Sequence, residues 1–246
     1  MKIYVIRIRK NFYLTLAALL VIGLFWYTDF LTLIEIPVSG VSPYYHGNPS
    51  EAKISLTINV DWGEEYIPQI LKILKEKDVN ATFFITGRWA SKFPDLVKRI
   101  YMDGHEIGNH GYSHLHPNRL SRKELIEHIK KNEEIIYGII GVRTNLYAPP
   151  YGEYNKRVVT VADELGYKLI MWSADTIDWQ RPAPQVIIDR VMRKASNGGI
   201  VLMHPIPQTV QALPIMINKL RAKGYELVTI SELLKLVQPG EKDDSK

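Results

Sequence analysis

The sequence predicts an α/β fold, and three observations carry that expectation. Short apolar runs recur along the chain, longer stretches of helical period separate them, and polar residues gather directly after the runs. With 246 residues, 46% hydrophobic and 23% charged, the chain can bury one sizeable core and is excluded from the disordered class. The lack of cysteine excludes disulfides, thiolate nucleophiles and cysteine-held metals. The net charge is +5, but Lys2, Arg7, Arg9 and Lys10 supply most of it, so the rest of the chain is nearly neutral and nucleic acid is not an expected partner.

Taken in order, residues 12–28 (FYLTLAALLVIGLFWYT) are uncharged, follow a basic tail and close on Trp26 and Tyr27. Seventeen such residues span about 25 Å as a helix, near the lower limit for a bilayer. The basic flank predicts a cytoplasmic N-terminus and an outer C-terminal domain, giving a single-pass cell-membrane protein. The bulky exit LFWYTDFLTL argues for an uncleaved anchor over a cleaved signal. The segment 1–35 is thus read as tail and transmembrane anchor, and 36–52, rich in turn formers, as a linker.

From Lys53 onward the pattern alternates. Strands are expected at 54–60, 81–86, 105–110, 144–148, 167–172, 199–204 and 225–230, each β-branched or aromatic and almost continuously apolar. Helices are expected at 64–77, 92–103, 121–141, 155–165, 184–197, 209–223 and 231–237. Seven such repeats in 53–237 suggest a barrel or a doubly wound sheet. Residues 238–246 (QPGEKDDSK) read as a flexible tail.

In such folds, sites gather at the carboxyl ends of strands. There the sequence places Asn59, Asp61 and Trp62, then His110 and His114, then Pro149-Pro150-Tyr151-Gly152, then Trp172, Asp175, Asp178 and Trp179, and finally His204. Two imidazoles four residues apart, with Asp61 upstream, suit zinc or a similar divalent ion. His116 is the alternative second ligand, and His105 is expected to pack or cap. His204 is placed as a proton donor or acceptor, oriented by Asp178 or Asp175. The Pro-Pro-Tyr-Gly turn either ends a strand or aims the Tyr151 N–H at an oxyanion. Trp62, Trp172 and Trp179 either pack in the core or line a sugar groove.

Together these segments resemble the polysaccharide deacetylase family, also called the NodB-homology or carbohydrate esterase 4 family. ATFFITGRWASKFPDLVKRI, DGHEIGNHGYSH, PPYGEYN, LGYKLIMWSADTIDW and GGIVLMHP occur in that family's order, across roughly 53–237. The anchor, the lead-in and the Trp62-Gly63 pair resemble its membrane-anchored sporulation-type members. The resemblance implies a distorted (β/α) barrel and metal-dependent removal of N-acetyl groups from cell-wall polysaccharide such as peptidoglycan or a chitin-like glycan. It implies His110 and His114 as metal ligands, one bound divalent metal and N-acetylated glycan as partner; Asp61 is the expected third ligand as the carboxylate at the adjacent strand end, and a monomer is expected. It further implies Tyr151 as the oxyanion residue, His204 as acid and Asp178 as its tuning carboxylate, with Trp62, Pro150 and Trp179 along the substrate groove.

The chain departs from the family pattern at two chemically linked places. Where the first motif reads TFDDG, this chain has Thr57-Ile58-Asn59-Val60-Asp61, so the base position holds an amide that cannot take a proton. The third motif's arginine, which pairs with that base, is Ala148 here, with Arg143 five residues upstream. Two functions are therefore expected: a metal-dependent deacetylase in which Asp61 substitutes, or a catalytically weak or silent homologue that binds cell-wall glycan.

Overall fold

The computed structural model describes residues 19, 20, 23 and 42–236. The chain divides into two units, 1–40 and 41–246. Of the first, the described residues Leu19, Leu20 and Gly23 are helical. The anchor expected at 12–28 otherwise lies outside the described residues. Among the described residues no helix is long and apolar enough to cross a membrane. Within the described residues, that finding stands against the expected transmembrane helix, the membrane as partner and the single-pass membrane localisation.

The second unit runs β1 (Lys53–Val60), α1 (Ile67–Glu76), β2 (Thr82–Ile85), α2 (Gly87–Lys92), α3 (Pro94–Met102), β3 (Glu106–Asn109) and α4 (Arg122–Ile140). It continues with β4 (Leu146–Tyr147), α5 (Lys156–Glu164), β5 (Lys168–Leu169), β6 (Ala174–Asp175), α6 (Pro184–Lys194), β7 (Gly199–Met203), α7 (Pro207–Ala222), β8 (Glu226–Val228) and α8 (Ile230–Leu234). The strands form one curled parallel sheet in the order β5-β4-β3-β2-β1-β7-β6, with β8 also on β1. β1 is the hub. It pairs with β7 along Ile54–Ile58, with β8 through Lys53–Ser55 and with β2 through Thr57–Val60.

Alternation along β1 assigns its two faces. Ile54, Leu56, Ile58 and Val60 are fully buried in a cluster with residues of α1, α3, α6 and α7. Ser55, Thr57 and Asn59 face the concave side, where Phe84, Leu146, Ala148, Ile170 and Ile200 make a second cluster. β1 is buried on both faces, yet its sequence keeps period two, with polar Ser55, Thr57 and Asn59 between the apolar residues of the helix-covered face.

The curled sheet is not closed by β5 and β6, which do not pair with each other. Residues 44–47 lie at this seam. The Tyr44 N–H donates to the Leu169 carbonyl at 2.8 Å, and the Met171 N–H donates to Tyr44 at 2.8 Å. His46 bridges to Gly199, and the Gly47 N–H reaches the Gly198 carbonyl at 2.7 Å. Part of the segment read as a linker is thus stitched to two strands.

Helix ends follow their local chemistry. Ser121 and Glu124 form a reciprocal capping box at the start of α4. Asn155 caps α5, and Thr229 with Glu232 caps α8.

Candidate functional site

The carboxyl ends of β1, β3, β4, β6 and β7 surround a cavity of about 410 Å³. Asn59, Asp61, Trp62, His110, His114, Tyr151, Trp179 and His204 line it, joined by Gly152, Trp172, Asp175 and Leu202. Of the residues expected from sequence, Pro150 and Asp178 are not in the lining. Pro150 is buried in the turn that presents Tyr151. Asp178 lies fully buried behind His204.

Asp178 organises one wall. Its Oδ1 accepts the His204 Nδ1–H at 2.7 Å, and its Oδ2 accepts the His204 backbone N–H at 2.7 Å and the Thr209 hydroxyl at 2.6 Å. With its Nδ1 proton held there, the His204 ring lies parallel to Trp62, at 6.0 Å between centroids. Asp175 does not orient His204; its Oδ1 instead accepts the Ile177 N–H at 2.8 Å. Thr209 had no signal in the sequence, because it sits on α7, just past the motif that ends at Pro205, where a lone threonine reads as a helix residue. Asp178→Asn is expected to cost about 1–3 kcal/mol, since one acceptor oxygen becomes a donor facing donors. Urea denaturation of the purified variant checks this, and unchanged stability would contradict the arrangement.

His110 and His114 stand on a turn that only glycine allows. Gly111 has φ +75°, and a Cβ there would fall 2.0 Å from His128 Nε2. The His110 and His114 rings meet edge-on at 5.1 Å. Burial drives the His110 pKa well below its ordinary value, with the neighbouring His114 adding to the effect. Burial also lowers His114; Asp61 opposes that shift, while His204 and Arg88 reinforce it. His114 touches Tyr151 edge-on at 4.4 Å, and His116 stacks on the same ring at 4.0 Å while bonding Glu153 at 3.0 Å. His116 is therefore occupied by Tyr151 and Glu153. His105 packs, as one of its expected roles: it is buried against Phe83, and its Nδ1 accepts the Ala81 N–H at 3.3 Å.

A divalent metal does not fit these residues. Among the described residues no group of three or more His, Cys, Asp or Glu could hold a metal ion. The physical reason lies at Asp61, whose two oxygens already have partners. The Thr86 hydroxyl donates to Oδ1 at 2.8 Å, and Arg88 donates to Oδ2 at 2.7 Å. Val60 faces the helices and Asn59 is an amide, so β1 offers no other carboxylate. The expected zinc-like cofactor is corrected accordingly. Arg143 does not stand in for the missing motif arginine, because it is bound to Glu133 at 3.0 Å and Glu134 at 2.9 Å. Arg88 was overlooked in the sequence, although it follows β2 by three residues at the same sheet edge.

Two residues flanking the cavity hold left-handed backbone without being glycine: Tyr151 at φ +60° and Ile177 at φ +50°. A β-branched residue there costs of order 1–3 kcal/mol and persists only where its surroundings fix it. Asp175 supplies that restraint on one side of Ile177. Arg190, donating to the Thr176 carbonyl at 2.9 Å, supplies it on the other.

Comparison with known proteins places this geometry. The family described as polysaccharide deacetylase matches residues 46–170. The chain is 43% identical to the uncharacterized protein YlxY of Bacillus subtilis over 78% of its length, and spans 60% of the length of that relative. It is 35% identical to a peptidoglycan-N-acetylglucosamine deacetylase of Bacillus cereus, covering 80% of this chain and 74% of the relative. Among solved structures, wild-type BA3943 of Bacillus anthracis, a CE4 family pseudoenzyme, superposes with a TM-score of 0.78 at 44% identity, covering 79% of this chain and 69% of that one. A BA3943 mutant with restored enzymatic activity matches with a TM-score of 0.78 at 42% identity, over 79% of this chain and 72% of that one.

Proposed function

We propose that this chain, which belongs to the polysaccharide deacetylase family, is a non-hydrolysing member that binds cell-wall glycan in the cleft at the carboxyl edge of its sheet. The observation that carries this reading is Asp61, closed off by Thr86 and Arg88, beside an asparagine where the family has its base. Hydrolysis of an acetamide at neutral pH needs an activated water and an acceptor for its proton. Neither the amide of Asn59 nor the occupied Asp61 provides one. This reading corrects the expectation of a metal-dependent hydrolase, and it agrees with the pseudoenzyme status of BA3943.

The binding machinery is nevertheless kept. Trp62 and Trp179 remain exposed beside the cavity, and the backbone strain at Tyr151 and Ile177 is retained. Flat ring faces exposed at the mouth of a cleft suit the apolar faces of sugar rings. Residues 53–237 carry this function in the proposal, with the protein acting as a monomer. A sporulation-type setting rests on the lead-in and the Trp62-Gly63 pair.

The test is calorimetric titration of the full chain with soluble peptidoglycan fragments, alongside measurement of acetate release. Binding without acetate release is expected. Trp179→Ala is expected to weaken binding about tenfold, equivalent to about 1.4 kcal/mol, while leaving thermal stability unchanged because the ring is exposed. Rapid acetate release by the wild type, or binding indifferent to Trp179, would overturn the reading.

A further inference from the structure

We infer that the cleft recognises the free-amine form of an amino sugar, the product of N-deacetylation, in preference to the N-acetylated form. This rests on the glycan-binding reading above and names the ligand for that same site.

The first observation is a lone pair with no donor. His110 Nδ1 lies 2.6 Å from the Ala148 carbonyl oxygen. A carbonyl cannot donate, so Nδ1 carries the ring proton and Nε2 is left as a bare acceptor. That Nε2 has no hydrogen-bond partner, and His110 is 1% exposed. Asn59 Oδ1 repeats the pattern, unpartnered in a side chain that is 7% exposed. Both residues line the cavity. Buried polar atoms are rarely left unpaired, so two unpartnered acceptors on residues that line one cavity call for a ligand that donates.

Charge and aromatic surface point the same way. Asp61 and Asp175 line the cavity, and its lining contains no lysine or arginine. Arg88 answers one of these carboxylates, leaving Asp175 as the remaining negative charge. Trp62, Trp172 and Trp179 supply ring faces that attract a cation electrostatically.

The two candidate sugars differ at one group. An acetamide brings a single N–H together with a carbonyl oxygen that itself needs an electrophile, and the cleft holds no ligand set for a metal to serve it. A protonated sugar amine brings three N–H donors, no acceptor and a positive charge. It matches unpaired acceptors, a carboxylate and aromatic walls at once. The loss of the base and metal ligands, in this view, converts a site that would process acetamides into one suited to what remains after their removal. A deacetylation reaction must therefore act on the glycan before this protein binds it.

The experiment titrates the full chain, with a chelator present, with a glucosamine pentamer and with an N-acetylglucosamine pentamer, at a pH below the sugar amine's own pKa. The amine oligomer is expected to bind at least about tenfold more tightly. Asp175→Asn keeps the oxygen that accepts the Ile177 N–H. It is expected to weaken the amine oligomer about tenfold more than the acetylated one. In the wild type, the ¹⁵N resonance of His110 Nε2 is expected to move on adding the amine oligomer, a readout that needs no variant. Equal or tighter binding of the acetylated pentamer, or a His110 Nε2 resonance that stays still while the amine pentamer binds, overturns the inference and leaves glycan binding intact. Failure of both pentamers to bind overturns the proposed function along with it.

Discussion

Lowering the pH from 7 to 4 is expected to remove about 3 kcal/mol of stability for each of two buried histidines, neither of which is a proposed ligand-binding group. Burial pushes His105 down to about 4, against a smaller opposing pull from Asp103. Burial, reinforced by His114, pushes His128 down to about 4 as well. In the unfolded chain both rings titrate near 6.5, so between 6.5 and 4 the unfolded state binds more protons and stability falls as pH falls. The contribution is fully present above about pH 6.5 and is lost as the pH drops through that window to about 4. His110, buried and shifted in the same direction, adds to the trend. Urea midpoints measured across this range should decline steeply. His128→Gln, which cannot titrate, should flatten the slope by roughly one proton's worth. A wild-type profile flat from pH 7 to 4 would show that these rings are protonated without cost and hence are not buried as described.

The physical terms that made the sheet legible from sequence are the ones that failed at its small elements. β2 and β7 are covered on both faces, and their apolar runs stand out without any knowledge of their neighbours, while β1 stands out by its strict alternation. β6 is only Ala174–Asp175 and exists because β7 is beside it, pairing at Ala174 with Val201. Nothing local marks it. α2 begins at Gly87 and lasts six residues. Its start depends on the Thr86 side chain accepting the Trp89 N–H, a cap hidden inside what reads as the end of a strand.

The site was legible in the same uneven way. Polar residues after apolar runs identified most of the cavity lining, because strand ends in a curled parallel sheet converge by geometry. Asp61 was misjudged because a carboxylate's residue type is visible in sequence and its partners are not. The groups that close it off, Thr86 directly after β2 and Arg88 in the first turn of α2, are 25 and 27 residues away. Counting ligand types at strand ends therefore overestimates metal capacity wherever the helix after the adjacent strand carries an arginine in its first turn.

Restoring the two lost motif residues separately is expected to damage the protein, and restoring them together to repair much of that damage. Ala148 is 3% exposed and packs with Phe84, Leu146, Ile170 and Ile200 on the concave face. Space there is tight, since a Cβ at Gly108 would already lie 2.4 Å from Phe84 Cδ1. Ala148→Arg alone places an unpaired guanidinium among apolar side chains and should cost about 3–5 kcal/mol. Asn59→Asp alone buries a carboxylate that lacks a cation, so its pKa should rise and its benefit as a base should shrink. Asn59 faces the same concave side, so in the double variant the two charges can meet, and the pair should recover at least about 1–3 kcal/mol relative to additivity. A double-mutant cycle by urea denaturation reads this coupling directly, and strictly additive losses would show that the two positions do not communicate. Acetate release by the double variant should stay at background, because Asp61 remains held by Thr86 and Arg88 and no carboxylate is freed for a metal. The BA3943 mutant with restored enzymatic activity shows that a related scaffold can be brought back to turnover. In this chain, stability coupling between positions 59 and 148 should therefore appear before any catalysis does.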